Sequence, residues 1–314
     1  MARLHLVAMA LVMLALASLF LSPAVALLVG IAWALVFGNP WSGTTRTLAR
    51  HSLAASVVGL GAGMNLAVVA QVGLHGVGYT LVSIGVALTL GTVLGRRLGV
   101  SSNVSLLVTV GTAICGGSAI AAVAPVVQAK EEDVSMALVT IFLLNGVALF
   151  VFPVVGHALS MQEDAFGLWC ALAIHDTSSV VGAAAQYGAR ALEVATAAKL
   201  ARALWIEPVT FAISLSRAKK GEQSSAPHRP WFIAGFIAVA ALVTFVPALK
   251  EAGHVVASGS HRLLSLTLFL IGLGMSRNAL RSLGVRPLVQ AFALWLALAT
   301  LTLLAIVSGI ISCR

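Results

Sequence analysis

The sequence predicts an all-α polytopic membrane protein with about 10–11 transmembrane helices, inverted repeats and two broken or re-entrant helices. Three observations carry this. Of 314 residues, 60% are hydrophobic and 9% charged, and the mean hydropathy is +1.02. A soluble core of that size needs a charged surface that so few charges cannot build. Apolar runs of near-bilayer length recur from end to end. Two of those runs are interrupted by small and polar residues. The first interruption is Gly111-Thr112-Ala113-Ile114-Cys115-Gly116-Gly117-Ser118-Ala119-Ile120-Ala121-Ala122. The second is Ala173-Ile174-His175-Asp176-Thr177-Ser178-Ser179-Val180-Val181-Gly182-Ala183-Ala184. Lipid offers no hydrogen bonds, so loosened backbone at that depth is buried in protein or lines a wet cavity. Paired interruptions of this kind mark transporter sites built from broken helices. Close helix packing is the plainer reading of small residues, but it gives His175-Asp176 no job.

Taken in order, the candidate spans are 4–20, 23–38, 51–71, 79–95, 104–127, 134–157, 165–187, 192–214, 231–247, 262–275 and 285–312. Met1–Ala26 has the outline of a signal peptide, with Arg3, an apolar run and a small-residue end. A second span follows at once, so the expectation is a retained first helix. The whole chain, 1–314, reads as one integral membrane transporter domain. Its repeat-like halves are about 18–157 and 165–314, joined near the second break, and 217–230 forms a polar cytoplasmic linker.

With the N-terminus inside, 12 of the 19 basic residues fall in the cytoplasm, and Lys130, Arg190, Lys250, Arg262 and Arg314 fall outside. The bias supports a cytoplasmic N-terminus and an external C-terminus. The net charge of +9 therefore sets orientation and does not point to nucleic acid. Cys115, Cys170 and Cys313 are dispersed, with no metal-ligand spacing. No metal and no cofactor is expected. The partners expected are a small anion, a coupling proton or cation and the lipid bilayer, and a homodimer is compatible with the sequence.

An internal echo adds to the repeat reading. Gly61-Ala62-Gly63-Met64 matches Gly272-Leu273-Gly274-Met275 at an offset of 211, and Gly73 matches Gly284 at the same offset. The copies lie in spans three and ten, an odd separation, so they run in opposite directions. The two polar stretches fall in spans five and seven, which would run the same way unless one of them is re-entrant.

Beyond the second break, Lys199 and Arg202 are three residues apart and share a helix face. Charge at mid-membrane costs several kcal/mol and faces a cavity or a partner. Two accounts stay open. In one, the lysine and the forked guanidinium bind an anion such as sulfate, sulfonate or carboxylate. In the other, Asp176 and Glu207 neutralise them in a closed network. The substrate set expected is Gly116, Gly117, Ser118, Thr177, Ser178, Lys199 and Arg202. The ion-coupling pair expected is His175 and Asp176, with N-capping an equal reading for Asp176. Asn65, Gln71 and Asn145 line the cavity or bond between helices.

At Gly111–Ala122 and Ile174–Ala184 the chain resembles the YeiH-type sulfate-exporter family of bacterial inner-membrane proteins. Gly63-Met64-Asn65-Leu66, Lys130-Glu131-Glu132, Phe166-Gly167-Leu168-Trp169 and Lys199-Leu200-Ala201-Arg202 carry the likeness further. Many members follow the histidine with Glu-Val-Ala-Gln. This chain has Asp176-Thr177-Ser178-Ser179, as in another branch. The resemblance implies export of sulfate or sulfonate and kinship with the cation/proton-antiporter and bile-acid-symporter superfamily.

The leading expectation is a secondary active transporter, not an enzyme, that exports a small anion by alternating access coupled to an ion gradient. A passive anion channel is the alternative. An intramembrane hydrolase would need Ser118 and His175 in hydrogen-bond contact.

Overall fold

The computed structural model describes residues 13–15, 17–21, 23–64, 66–218, 231–275 and 284–311. Most of the first span, Asn65, the linker from 219 to 230, and Arg277, Arg281, Cys313 and Arg314 lie outside them, as do the side chains of Gln71 and Glu207. The described chain is helical throughout apart from its connections. Its helices are α1 (Pro23–Phe37), α2 (Ser42–Leu60), α3 (Leu66–Arg97), α4 (Ser102–Ala113), α5 (Gly117–Val123), α6 (Glu131–Ala158), α7 (Glu163–Ala173), α8 (Thr177–Tyr187), α9 (Ala189–Ala203), α10 (Ile206–Ala218), α11 (Trp231–Phe245), α12 (Lys250–Leu273) and α13 (Val285–Val307). Gly78–Arg97, Glu132–Ala158, Pro247–Leu273 and Val285–Val307 are each long and apolar enough to cross a bilayer unaided. The protein is an all-α polytopic membrane protein.

The chain divides into two compact units. One comprises Met1–Leu66 and Trp231–Asn278. Within it α1, α2 and α12 pack closely. The Thr267 hydroxyl donates to Ser52 Oγ at 3.0 Å, and Gly59 lies against Ser260. As α2 advances from 52 to 59, α12 recedes from 267 to 260, so the two helices run antiparallel. These are the helices whose ends carry the glycine echo, and Gly61–Gly63 closes α2 as a single 3-10 turn. Asn39 fastens the same unit, donating from Nδ2 to Leu273 O at 3.2 Å.

The other unit comprises Ala67–Pro230 and Ala279–Arg314. Its wall helices are α6 and α13. With 28 residues, α6 is about 42 Å long and exceeds the hydrocarbon core. Pro153 lies inside it and has no N–H for Leu149 O. Gln186 of α8 supplies the donor instead, from Nε2 at 3.4 Å. Gln290 of α13 donates to Gly91 O at 3.0 Å and Ser105 Oγ at 2.9 Å, pinning α4. Trp169 of α7 donates from Nε1 to Ala299 O of α13 at 2.9 Å.

Two expected crossings do not cross. The arm α4 has 12 residues, about 18 Å, and α7 has 11, about 16 Å, each roughly half the core. Each arm turns back. Ile120 of α5 lies on Gly111 of α4, contact that a straight-through helix cannot make. Tyr187, at the end of α8, stacks on Phe166, near the start of α7, with ring centroids 3.7 Å apart, and its hydroxyl donates to Met161 O at 2.7 Å. Both broken segments are therefore re-entrant hairpins. Along α6 the order of contacts fixes their sense. Met136 lies at the base of the first hairpin, Leu138 and Phe142 meet its tip at Gly117, Asn145 meets the second tip, and Gly156 and His157 meet the second base. The hairpins enter from opposite ends of α6 and meet at its middle.

This corrects the expected sidedness of Lys130. It follows a hairpin and not a crossing, so it lies at the end of the unit that also holds Gly99, Ser101 and Arg286. A cavity of about 330 Å³ lined by those three residues, Asp133 and Met136 joins the segments there.

Candidate functional site

The first tip forms where α4 stops at Ala113. Ile114 leaves the helical region at φ −120°, ψ −86°, and Gly116 reverses the chain at φ 67°, ψ −125°. A positive φ of this kind favours glycine. The Gly116 N–H closes back on Gly111 O at 2.8 Å. The second tip forms differently. Ile174 is extended, and Asp176 N-caps α8. Ser179 N–H donates to Oδ1 at 3.1 Å, and the Ser178 hydroxyl donates to Oδ2. Asp-Thr-Ser-Ser is a strong start signal for a helix, because the carboxylate takes donors that the first turn leaves free.

The tips touch. A Cβ on Gly116 would lie 3.0 Å from the Cβ of Asp176 and 3.3 Å from its Cα. Asn145, at the middle of α6, holds the second tip by accepting the His175 backbone N–H at 3.2 Å.

Lys199 and Arg202 reach this junction from α9, and both are completely buried. Lys199 Nζ donates to Ile174 O at 2.7 Å and Ala171 O at 3.3 Å. Arg202 donates to Ala113 O from Nε at 2.8 Å and from Nη2 at 2.5 Å, and to Leu172 O from Nη1 at 2.7 Å. These carbonyls end α4 and α7. Each helix end carries roughly half a negative charge, so the cations neutralise two converging C-termini. Arg202 bridges the first arms of both hairpins.

The side chain of Glu207, one acid of the closed network, lies outside the described residues. Among the described residues the ion pairs are Arg190–Asp164 at 2.6 Å and Arg190–Glu193 at 2.9 Å. Asp176 spends its oxygens on its own helix. Among the described residues the junction therefore gathers two buried cations, two helix C-termini and one carboxylate.

The remaining expected residues divide. Thr177 and Ser178 are buried beside the junction, although the Ser178 hydroxyl is committed to Asp176. Gly117 is half-buried against Phe142 and Leu138. Ser118 is exposed, whereas His175 is buried. Both ring nitrogens of His175 lack a hydrogen-bond partner, so the contact a Ser118–His175 dyad requires is not made. Seven more buried polar atoms lack partners among the described residues; apart from those on Ser83, Thr210, Gln290 and Trp295, they are Thr112 Oγ1, Asn145 Nδ2 and Thr196 Oγ1. Each belongs to an element that meets the junction, on α4, α6 and α9. Unpaired polar atoms at such depth each cost about 1–3 kcal/mol and call for a function.

The comparisons with known proteins agree with the architecture. The family model described as conserved hypothetical protein 698 matches residues 2–291. A UPF0324 membrane protein of Bdellovibrio bacteriovorus is 53% identical over 293 residues, covering 92% of this chain and 90% of its own. One from Geobacter sulfurreducens is 47% identical, covering 90% and 89%. One from Bacteroides thetaiotaomicron is 45% identical, covering 91% and 86%. The chain belongs to the UPF0324 membrane-protein family. This is the YeiH-type family to which its motifs pointed. No solved structure matches the chain.

The two tips of this UPF0324 protein share a sequence pattern. Ala113-Ile114 and Ser118 of the first tip recur as Ala173-Ile174 and Ser178 of the second, at an offset of 60. The matched residues stand at matching points of two hairpins that point in opposite directions. Thr112 and Thr196 carried no such signal, since a lone threonine in an apolar helix is ordinary.

Proposed function

We propose that the protein is a secondary active transporter of a small anion such as sulfate, a sulfonate or an organic carboxylate. It works in the bacterial inner membrane by alternating access, as an exporter coupled to a proton or cation gradient. The observation that carries this reading is the junction itself. Among the described residues two buried cations, one carboxylate and the unpartnered ring nitrogens of His175 come together where hairpins from opposite ends meet.

Two like charges buried side by side repel each other, and a bound anion adds to the compensation that the helix C-termini already give them. Lys199 and Arg202 are tied to carbonyls, so they act on the anion chiefly through their field. His175, Asn145, Thr112 and Thr196 offer neutral hydrogen bonds, with Gly116, Gly117, Thr177 and Ser178 shaping the walls. Displacing one hairpin tip opens the junction to one end and leaves the other closed, which is the requirement of alternating access.

The orientation follows from charge. Arg96, Arg97, Lys130 and Arg286 cluster at the base of the first hairpin, while Arg190 faces Glu163, Asp164 and Glu193 at the base of the second. The positive-inside rule favours a cytoplasmic first base, in keeping with the cytoplasmic N-terminus expected from the sequence.

The test is flux in liposomes containing the purified protein, with labelled sulfate, methanesulfonate and succinate run with and without imposed proton and sodium gradients. Accumulation of one anion against its own gradient is expected. Flux that only relaxes the anion gradient, whatever ion gradient is imposed, would make the protein a channel. The absence of flux for the whole panel would remove anion transport.

A further inference from the structure

The junction contains two ionisable groups suited to carrying a coupling proton, Asp176 and His175, and they are not equally free. Asp176 accepts Ser179 N–H on one oxygen and the Ser178 hydroxyl on the other, and its position starts α8. Protonating it would set an O–H against donors that need an acceptor. His175, by contrast, is 1% exposed, is fixed only through its backbone N–H, and has both Nδ1 and Nε2 unpartnered.

We propose that His175 is the group that takes up a proton when the anion binds, the imidazolium then donating to the anion. This rests on the anion-transport reading above and names the coupling group within it. Among the described residues the charged groups acting on His175 are Lys199 and Arg202 from α9, and Asp176 follows it in the chain. Helix α6 contributes the neutral Asn145.

The electrostatics give the sequence of events. Two buried cations oppose a third positive charge next to them. An anion entering the junction cancels that opposition and supplies an acceptor for the new N–H. Proton and anion therefore favour each other's binding, and the linkage is reciprocal. The step is balanced: one proton moves from solvent to an imidazole nitrogen, no covalent bond of the anion changes, and the same proton leaves with the anion. The coupling is therefore symport, and export proceeds only where the outward anion gradient and the membrane potential outweigh the inward proton gradient.

The test is calorimetric binding of sulfate, methanesulfonate and succinate to the purified protein, each in two buffers of different ionisation enthalpy. The heat difference counts protons. For whichever anion binds, the wild type is expected to take up close to one proton. Its affinity should weaken by up to about tenfold per pH unit as the histidine loses its proton in the complex. His175→Gln should bind with no proton uptake. Proton-free binding by the wild type, or uptake retained in His175→Gln, overturns the proposal and leaves anion transport standing. Absence of binding for all three anions sinks both. If His175→Gln fails to fold, nitrogen NMR of histidine-labelled wild type decides. One imidazole is expected to become doubly protonated on adding the anion, and unchanged histidine signals would overturn the assignment.

Discussion

Gly116 and Asp176 touch: a Cβ built on Gly116 would lie 3.0 Å from the Cβ of Asp176. They are the turning points of two hairpins, and they hold matching places in a repeat with an offset of 60. The contact joins a backbone reversal that favours glycine to the carboxylate that starts α8. A shift of either tip changes this contact.

Gly116→Ala should therefore be costly twice, through its positive φ and through the approach of Asp176. A loss of about 1–3 kcal/mol is expected from the backbone alone, read as a lower melting temperature in detergent. Gly117→Ala is the comparison. Its Cβ would meet only the flexible ends of Phe142 and Leu138 at 3.2 and 3.3 Å, so its melting temperature should fall less. Equal losses would contradict the tip geometry.

Arg202→Ala should leave Ala113 O and Leu172 O without their donor. Each stranded carbonyl costs roughly 1–3 kcal/mol, so the purified variant should melt well below wild type. Arg202→Lys should recover part of that, because an ammonium keeps the charge but cannot reproduce the fork. A variant Arg202→Ala that melts like wild type would show that the guanidinium does not clamp the hairpin arms.

Asp176→Asn should preserve the helix start, since asparagine caps about as well as aspartate. Asp176→Ala should cost about 0.5–2 kcal/mol. Hydrogen exchange at the Ser179 amide separates the two variants: protected in the first, fast in the second. Identical exchange in both would mean that the cap does not hold this tip.

Much of this was legible in the sequence. Apolar runs and sparse charge gave the fold class, and the polar interruptions gave the two tips. The hairpins were not legible from hydropathy, because the run 104–127 is long enough for one crossing and equally long enough for two short arms. Only the turn chemistry at Gly116 and the offset-60 repeat distinguish them. The partners of Lys199 and Arg202 were hidden for a different reason. They are backbone carbonyls, which every residue owns, so no side-chain type announces them. Asn145 showed the same limit. Its position at the middle of α6 gives it a role, and position along a helix becomes meaningful only once the tips are placed.

The most direct test is single-cysteine labelling with a membrane-impermeant maleimide, in a background with Cys115, Cys170 and Cys313 replaced, on whole cells and on inverted vesicles. The sites are Ser101→Cys and Lys130→Cys, flanking the first hairpin, and Ser160→Cys and Ala189→Cys, flanking the second. The expected result is that the first pair reacts only in inverted vesicles and the second only in whole cells. Reaction of Ser101→Cys and Lys130→Cys from opposite faces would mean that the segment between them crosses the membrane, contradicting the paired hairpins and the central site built on them.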